Sequence, residues 1–191
     1  MKQILIVDNY DSFVYNLVQI VEKNGKCKYD IVKNDGISPD SVSEYDGILL
    51  SPGPGIPKEA GMLCPLIETS YATTPILGIC LGHQAIAEVF GCRLTRLEKP
   101  LHGHISPLFI VDSEEILFRG IENGSSIGHY HSWVIAPDSC PRELIVTATD
   151  AENNIMGIRH RRYPVRGLQF HPESFMSTEG IKIIDNWIAS L

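Results

Sequence analysis

No stretch of this 191-residue chain approaches the roughly 20 consecutive apolar residues that a membrane-spanning helix needs. Nor is there a run of Lys and Arg. The chain carries 16 basic against 23 acidic residues, a net charge of -7, so a phosphate backbone or an anionic membrane surface is not an expected partner. Its five cysteines, Cys27, Cys64, Cys80, Cys92 and Cys140, are an odd number and contain no Cys-x-x-Cys pair. That argues against a disulfide framework and a zinc site, and fits a reducing compartment. The N-terminal apolar stretch Ile4 to Val7 is too short for a signal-peptide core and has no small-residue cleavage site after it. The sequence also lacks linkers, repeats and low-complexity tracts. These absences lead to the expectation of one cytoplasmic domain over residues 1–191.

With 43% hydrophobic and 20% charged residues, the chain can bury a substantial core. Its first half alternates apolar strand signatures with helical patterns. Ile4 to Val7 is followed by a predicted helix from about Ser12 to Asn24, which Gly25 would terminate. Tyr29 to Val32, Gly47 to Leu50 and Ile76 to Ile79 read as further strands, with a helix from Glu59 to Ser70 before the last. Continuous apolar runs of this kind suit parallel strands covered on both faces. After Gly91 the segments Cys92 to Arg96, Ser106 to Val111, Ser126 to His131, Leu144 to Thr149 and Ile155 to Arg159 suggest mixed or antiparallel strands added to the sheet. From Thr178 to Leu191, one helical face would carry Ile181, Ile184, Trp187, Ile188 and Leu191. The expected fold is α/β, a three-layer open sheet with a mostly parallel core and added antiparallel strands.

The chemistry concentrates around Cys80. In Pro75-Ile76-Leu77-Gly78-Ile79-Cys80-Leu81-Gly82-His83-Gln84 a buried strand meets a cysteine flanked by glycines, then a predicted helix from His83 to Phe90. This is the arrangement of a nucleophile elbow with cysteine in the serine position. Gly78 and Gly82 remove side chains where strand and helix must approach, and the helix N-terminus favours a thiolate. Gln169-Phe170-His171-Pro172-Glu173 offers a base and its orienting acid, since strand spacing would put His171 and Glu173 on one face. The loop Ser51-Pro52-Gly53-Pro54-Gly55-Ile56-Pro57 follows an apolar strand, and its backbone N-H groups could join that of Leu81 in an oxyanion hole.

Each feature has a plainer reading. Free cysteines are commonly buried packing residues, His171 could be structural, Glu173 could be a solvated cap, and Pro/Gly punctuation often marks a simple turn. The combination favours catalysis. The pairs His102/His104 and His129/His131 have spacing that could put two rings on one strand face toward a metal, but no carboxylate or cysteine stands beside them at ligand spacing, so no metal site is expected. Asp8 and Asp11 could suggest a magnesium or phosphoryl site, although capping of the first helix explains them better.

These three motifs, in this order, resemble the class I, triad-type glutamine amidotransferases. Within that family the similarity is greatest to the components that serve anthranilate and aminodeoxychorismate (para-aminobenzoate) synthesis. It rests on Asp8-Asn9-Tyr10-Asp11-Ser12-Phe13, Leu50 to Gly55, Gly78 to Gln84, Leu101-His102-Gly103, Tyr130-His131-Ser132 and Gln169 to Ser174, which span nearly the whole chain. The resemblance implies a γ-glutamyl thioester on Cys80, with His171 and Glu173 completing the triad. It implies an oxyanion site at Gly53 and Leu81, and glutamine held by the Gly53-Pro54-Gly55 segment, Gln84, Ser132 and Trp133. It further implies a chorismate-using synthase subunit that receives the ammonia and activates the glutaminase. Mg²⁺ and chorismate would bind that subunit, leaving this chain without a cofactor. Val14, His104 and Trp133 depart from the commonest family pattern: Val14 replaces a threonine, His104 a lysine and Trp133 a leucine. Two rival readings remain at this level: a stand-alone hydrolase of the same fold, and a scaffold subunit that has lost activity.

Overall fold

A computed structural model describes the backbone of residues 1–191 and all side chains except those of residues 39 and 40. Ten strands and four α-helices follow the chain: β1 (Lys2–Asp8), α1 (Val14–Asn24), β2 (Cys27–Lys33), β3 (Gly47–Leu50), α2 (Leu63–Ser70), β4 (Ile76–Ile79), α3 (Leu81–Val89), β5 (Leu94–Pro107), β6 (Phe109–Ile110), β7 (Ser126–Ile135), β8 (Leu144–Thr149), β9 (Ile155–His160), β10 (Val165–Leu168) and α4 (Gly180–Ser190).

Eight strands form one sheet in the order β2-β1-β3-β4-β10-β9-β8-β6. The first five are parallel, and β9, β8 and β6 extend the sheet antiparallel. Period-two alternation divides the apolar strands between two cores. Ile4 and Ile6 of β1 join α1 and α4 residues such as Leu17, Ile184 and Trp187 on one face. Leu5 and Val7 join Leu66, Ile67, Ala85 and Ile86 of α2 and α3 on the other. This is the expected three-layer α/β architecture with a mostly parallel sheet. No helix among the described residues is long and apolar enough to cross a membrane.

β3 and β4 occupy the predicted residues, and Gly25 ends α1 in the left-handed conformation at φ 70°. Other expectations need correction. The first helix starts at Val14 rather than Ser12, because Asp11 Oδ1 accepts the Phe13 N-H at 2.8 Å and closes a turn first. The second starts at Leu63, since Gly61 takes φ 55° after a short 3₁₀ turn at Pro57–Glu59. The third begins at Leu81, directly after the cysteine. β5 and β7 do not join the main sheet but pair as a separate antiparallel ribbon. On α4, Ile181 is exposed and Ile183 buried, so the apolar face is rotated from the predicted one.

One central strand, β10, has no counterpart among the strands predicted from sequence. It spans only Val165-Arg166-Gly167-Leu168, where Arg166 and Gly167 interrupt any apolar signature, yet it lies between β4 and β9. Its partners on both sides define it. The loops that leave β1, β3, β4 and β10 all emerge at the carboxyl ends of the parallel strands, where open α/β sheets place their ligand crevice.

Candidate active site

Cys80 sits between β4 and α3 with φ 51° and ψ -100°, a conformation an L-residue rarely adopts. Strain of this kind costs about 1–3 kcal/mol and persists only where its surroundings enforce it. Here the Cys80 N-H donates to the Leu168 carbonyl of β10 at 2.8 Å, and the Cys80 carbonyl accepts from Gln84 N-H at 3.0 Å. A Cβ on Gly78 would collide with the backbone of Gly82, and one on Gly82 would collide with Leu50 of β3, so Gly78 lets α3 close onto β4 and Gly82 lets it pack against β3. Leu81 opens α3, and its N-H is one that the helix cannot satisfy internally.

The loop after β3 reaches the same place. A Cβ on Gly53 would lie 2.6 Å from both Asn9 Cβ and Leu81 Cδ2, so its bare backbone is wedged against the start of α3. Asn9, after β1, fixes this loop: its N-H donates to Ser51 Oγ at 2.9 Å and its side-chain amide donates to the Ser51 carbonyl at 2.8 Å. Asp8, considered above as a possible metal ligand, instead accepts the Tyr10 N-H and pairs with Lys33.

His171 and Glu173 follow β10 in a turn closed by Ser174 N-H on the His171 carbonyl. The strand-face argument for their proximity is therefore wrong. A turn brings them together, with His171 Nδ1 and Glu173 Oε1 2.7 Å apart, and the Glu173 carboxylate is wholly buried, which excludes the solvated-cap reading. Burial alone would depress the His171 pKa, but the negative charges of Glu173 and Cys80 outweigh it and raise the imidazole to about 10. His171 Nε2 is buried with no hydrogen-bond partner among the described residues. Phe13 and Tyr130 pack their rings around it, with centroids 5.2 and 5.0 Å away.

A cavity of about 260 Å³ is lined by Gly53, Pro54, Gly55, Cys80, Gln84, Ser132 and Trp133, together with Arg96, Pro100, Leu101, His102, Tyr130 and His131. A neighbouring cavity of about 430 Å³ shares Gly53, Pro54, Cys80, His102 and Tyr130, and adds His171. The structure thus brings together every predicted side chain and loop. Leu81 lies under the site and borders a third cavity with Asn9 and Pro54.

Three contributors have no role assigned from sequence. Gln169 donates to Cys80 Sγ at 3.6 Å and accepts from Gln84 at 3.2 Å. Arg96 is the only Lys or Arg among the described residues lining the first cavity. Phe13 supports the His171 ring. Gln169 and Phe13 stand inside the recognised motifs, whereas Arg96 has no local signal. Of the histidine pairs, His129 and His131 bond to each other rather than presenting two free rings, and His102 packs edge-on against Tyr130.

A cavity-lining cysteine on a strained elbow, beside a histidine-carboxylate pair and on a sheet of this topology, defines a triad-type amidotransferase site. The chain belongs to the glutamine amidotransferase class-I family, whose model matches residues 5–191. It is 43% identical to anthranilate synthase component 2 of Saccharolobus solfataricus, over 98% of each chain. It is 41% identical to aminodeoxychorismate/anthranilate synthase component 2 of Bacillus subtilis, over 97% of this chain and 95% of that one. It also matches the bifunctional protein TrpGD of Thermotoga maritima at 39% identity, spanning 98% of this chain but 32% of that longer protein. Among solved structures, a Thermoplasma acidophilum protein provisionally assigned to GMP synthase superposes with a TM-score of 0.88 and 27% identity, over 99% of this chain and 93% of that chain.

Proposed function

We propose that this chain is the cytoplasmic glutaminase subunit of an anthranilate synthase, an aminodeoxychorismate synthase or an enzyme serving both. One observation carries the reading: Cys80, on a strained elbow, lines a cavity shared with a histidine whose Nδ1 is bonded to a buried glutamate and whose Nε2 has no hydrogen-bond partner among the described residues. The names of the relatives support the choice of pathway.

In this reading the Cys80 sulfur attacks the side-chain amide carbon of L-glutamine. The N-H groups of Gly53 and Leu81 stabilise the oxyanion that forms. His171, already protonated at neutral pH, donates its Nε2 proton to the departing nitrogen, so the C–N bond breaks to release ammonia and leave a γ-glutamyl thioester. Neutral His171 then takes a proton from water as the water attacks, which regenerates the thiolate and liberates glutamate. Glu173 holds the imidazole and stabilises its cation. Gln84, Ser132, Trp133 and the Gly53-Pro54-Gly55 segment grip the substrate, and Arg96 suits its α-carboxylate. The chain needs no cofactor for these steps. Ammonia passes to the chorismate-using synthase subunit, to which any Mg²⁺ belongs.

The test is Cys80→Ala in a complex with that subunit. Glutamine-dependent amination of chorismate should be lost while amination from ammonium salts persists. Retention of the glutamine-dependent reaction, or loss of both, would overturn the assignment.

A further inference from the structure

From the cavity wall at His131 and Trp133 a line of buried polar groups that the proposed chemistry does not use runs back into the protein. Ser106 Oγ lies 2.7 Å from His129 Nε2, His129 Nδ1 lies 3.0 Å from His131 Nε2, and His131 Nδ1 lies 3.1 Å from the Trp133 carbonyl oxygen. All three side chains are buried. Alternation along β7 puts His129 and His131 on one face, and β5 supplies Ser106 from the ribbon partner strand.

The direction of every bond in this line follows from its last member. A carbonyl oxygen only accepts, so His131 Nδ1 carries a proton. Burial drives the His131 pKa down to about 3 and that of His129 to about 4, so both rings are neutral. His131 Nε2 must then accept, which puts the His129 proton on Nδ1. His129 Nε2 must accept in turn, and Ser106 donates. The line cannot relay protons into the cavity, because it ends on a carbonyl. What it can do is fix that carbonyl, which Gln84 Nε2 also grips at 3.0 Å while bonding Gln169, the residue that donates to Cys80 Sγ.

We propose that His129 is a positioning residue for the glutamine cavity, holding His131 in the tautomer that anchors the Trp133 carbonyl. The inference rests on the glutaminase reading only for its functional consequence; the tautomers follow from the hydrogen-bond geometry together with the neutrality of the two buried rings. His129 itself does not line the first cavity and reaches it through His131, which does.

The experiment has two arms. In the first, two-bond ¹H–¹⁵N spectra of the full chain at neutral pH report the ring tautomers, with His129→Asn and His131→Asn providing assignments. Both rings should be neutral and protonated at Nδ1; an Nε2-protonated or cationic ring at either position overturns the proposal, whatever the protein catalyses. In the second, glutamine hydrolysis is measured with the synthase subunit present. His129→Leu strands a buried acceptor and should raise KM for glutamine about tenfold with kcat changed less than about threefold. His129→Asn, whose amide nitrogen can stand in for Nδ1, should bring KM back within about threefold of the parent. Equal KM values for the Leu and Asn variants refute a hydrogen-bonding role. If the parent chain has no glutaminase activity with its partner, the functional assignment fails and the tautomer arm still decides the geometry.

Discussion

Replacing Glu173 with glutamine tests the electrostatics of the site most directly, because it removes one charge and preserves the side-chain shape. His171 is raised from 6.5 to about 10. At ~1.4 kcal/mol per pH unit, this corresponds to about 5 kcal/mol of preference for the imidazolium over the neutral ring. Burial opposes that preference, so it depends on the negative charges nearby, of which Glu173 is the stronger influence. In Glu173→Gln only the Cys80 charge remains to resist desolvation, and the His171 pKa should fall by at least about two pH units. An NMR pH titration of the His171 ring in the folded chain measures this, and a fall of less than one unit would refute the electrostatic account. A second readout follows by linkage. The folded pKa lies above the unfolded value, so the imidazolium contributes its full stability below about pH 6.5 and loses it as pH rises toward 10. Urea unfolding of the parent should show that decline, and the variant should show much less of it. Catalysis should suffer too, though less than in His171→Ala, because a neutral histidine can still be held by the glutamine amide.

Two further outcomes are expected. Gly180→Ala should destabilise the fold by about 3 kcal/mol or more and depress activity, because a Cβ there would overlap the Pro172 carbonyl between His171 and Glu173; parent-like urea stability would show that the turn can yield. A glutamine-shaped chloroketone should label Cys80 before Cys27, Cys64 or Cys92, by peptide mass mapping. Cys80 lines the cavity, while burial pushes Cys64 up to about 11 and also raises Cys27. The Cys92 thiol is raised by its hydrogen bond with Cys140, 3.7 Å away, and then by burial. Initial labelling of Cys64 or Cys27 in the folded chain would contradict this ranking.

The features legible in the sequence are those whose cause is local. β3 and β4 are identifiable to the residue because Gly47 to Leu50 and Ile76 to Ile79 are short apolar runs with abrupt ends, and such runs suit strands buried on both faces. The elbow is legible for the same reason: glycines two residues to either side of Cys80 have a steric meaning that needs no knowledge of distant chain. β10 is not, since Arg166 and Gly167 occupy half of it and its burial comes from β4 and β9. The His171/Glu173 pair lies between these cases. Their chemical complementarity is plain in the sequence, but the strand geometry expected of them is wrong, because β10 ends at Leu168 and a turn completes the approach.

The same distinction explains why the supporting groups are harder to find than the reacting ones. A nucleophile, a base and an acid announce themselves by residue type, but a positioning group is defined by which of its atoms meets which neighbour. Gln169 and His129 owe their places to contacts with residues 89 and 23 positions away, Cys80 and Ser106. The spacing of His129 and His131 does predict a shared strand face, and that much is realised. What spacing cannot supply is the Trp133 carbonyl at one end and the Ser106 hydroxyl at the other, which turn two rings suited to metal binding into a line of donors with one allowed direction. Burial completes the change. A ring that cannot take up a second proton near neutral pH has one tautomer compatible with its neighbours, and a fixed tautomer lets His129, outside the lining of the first cavity, hold the wall of the cavity in which the thiol works.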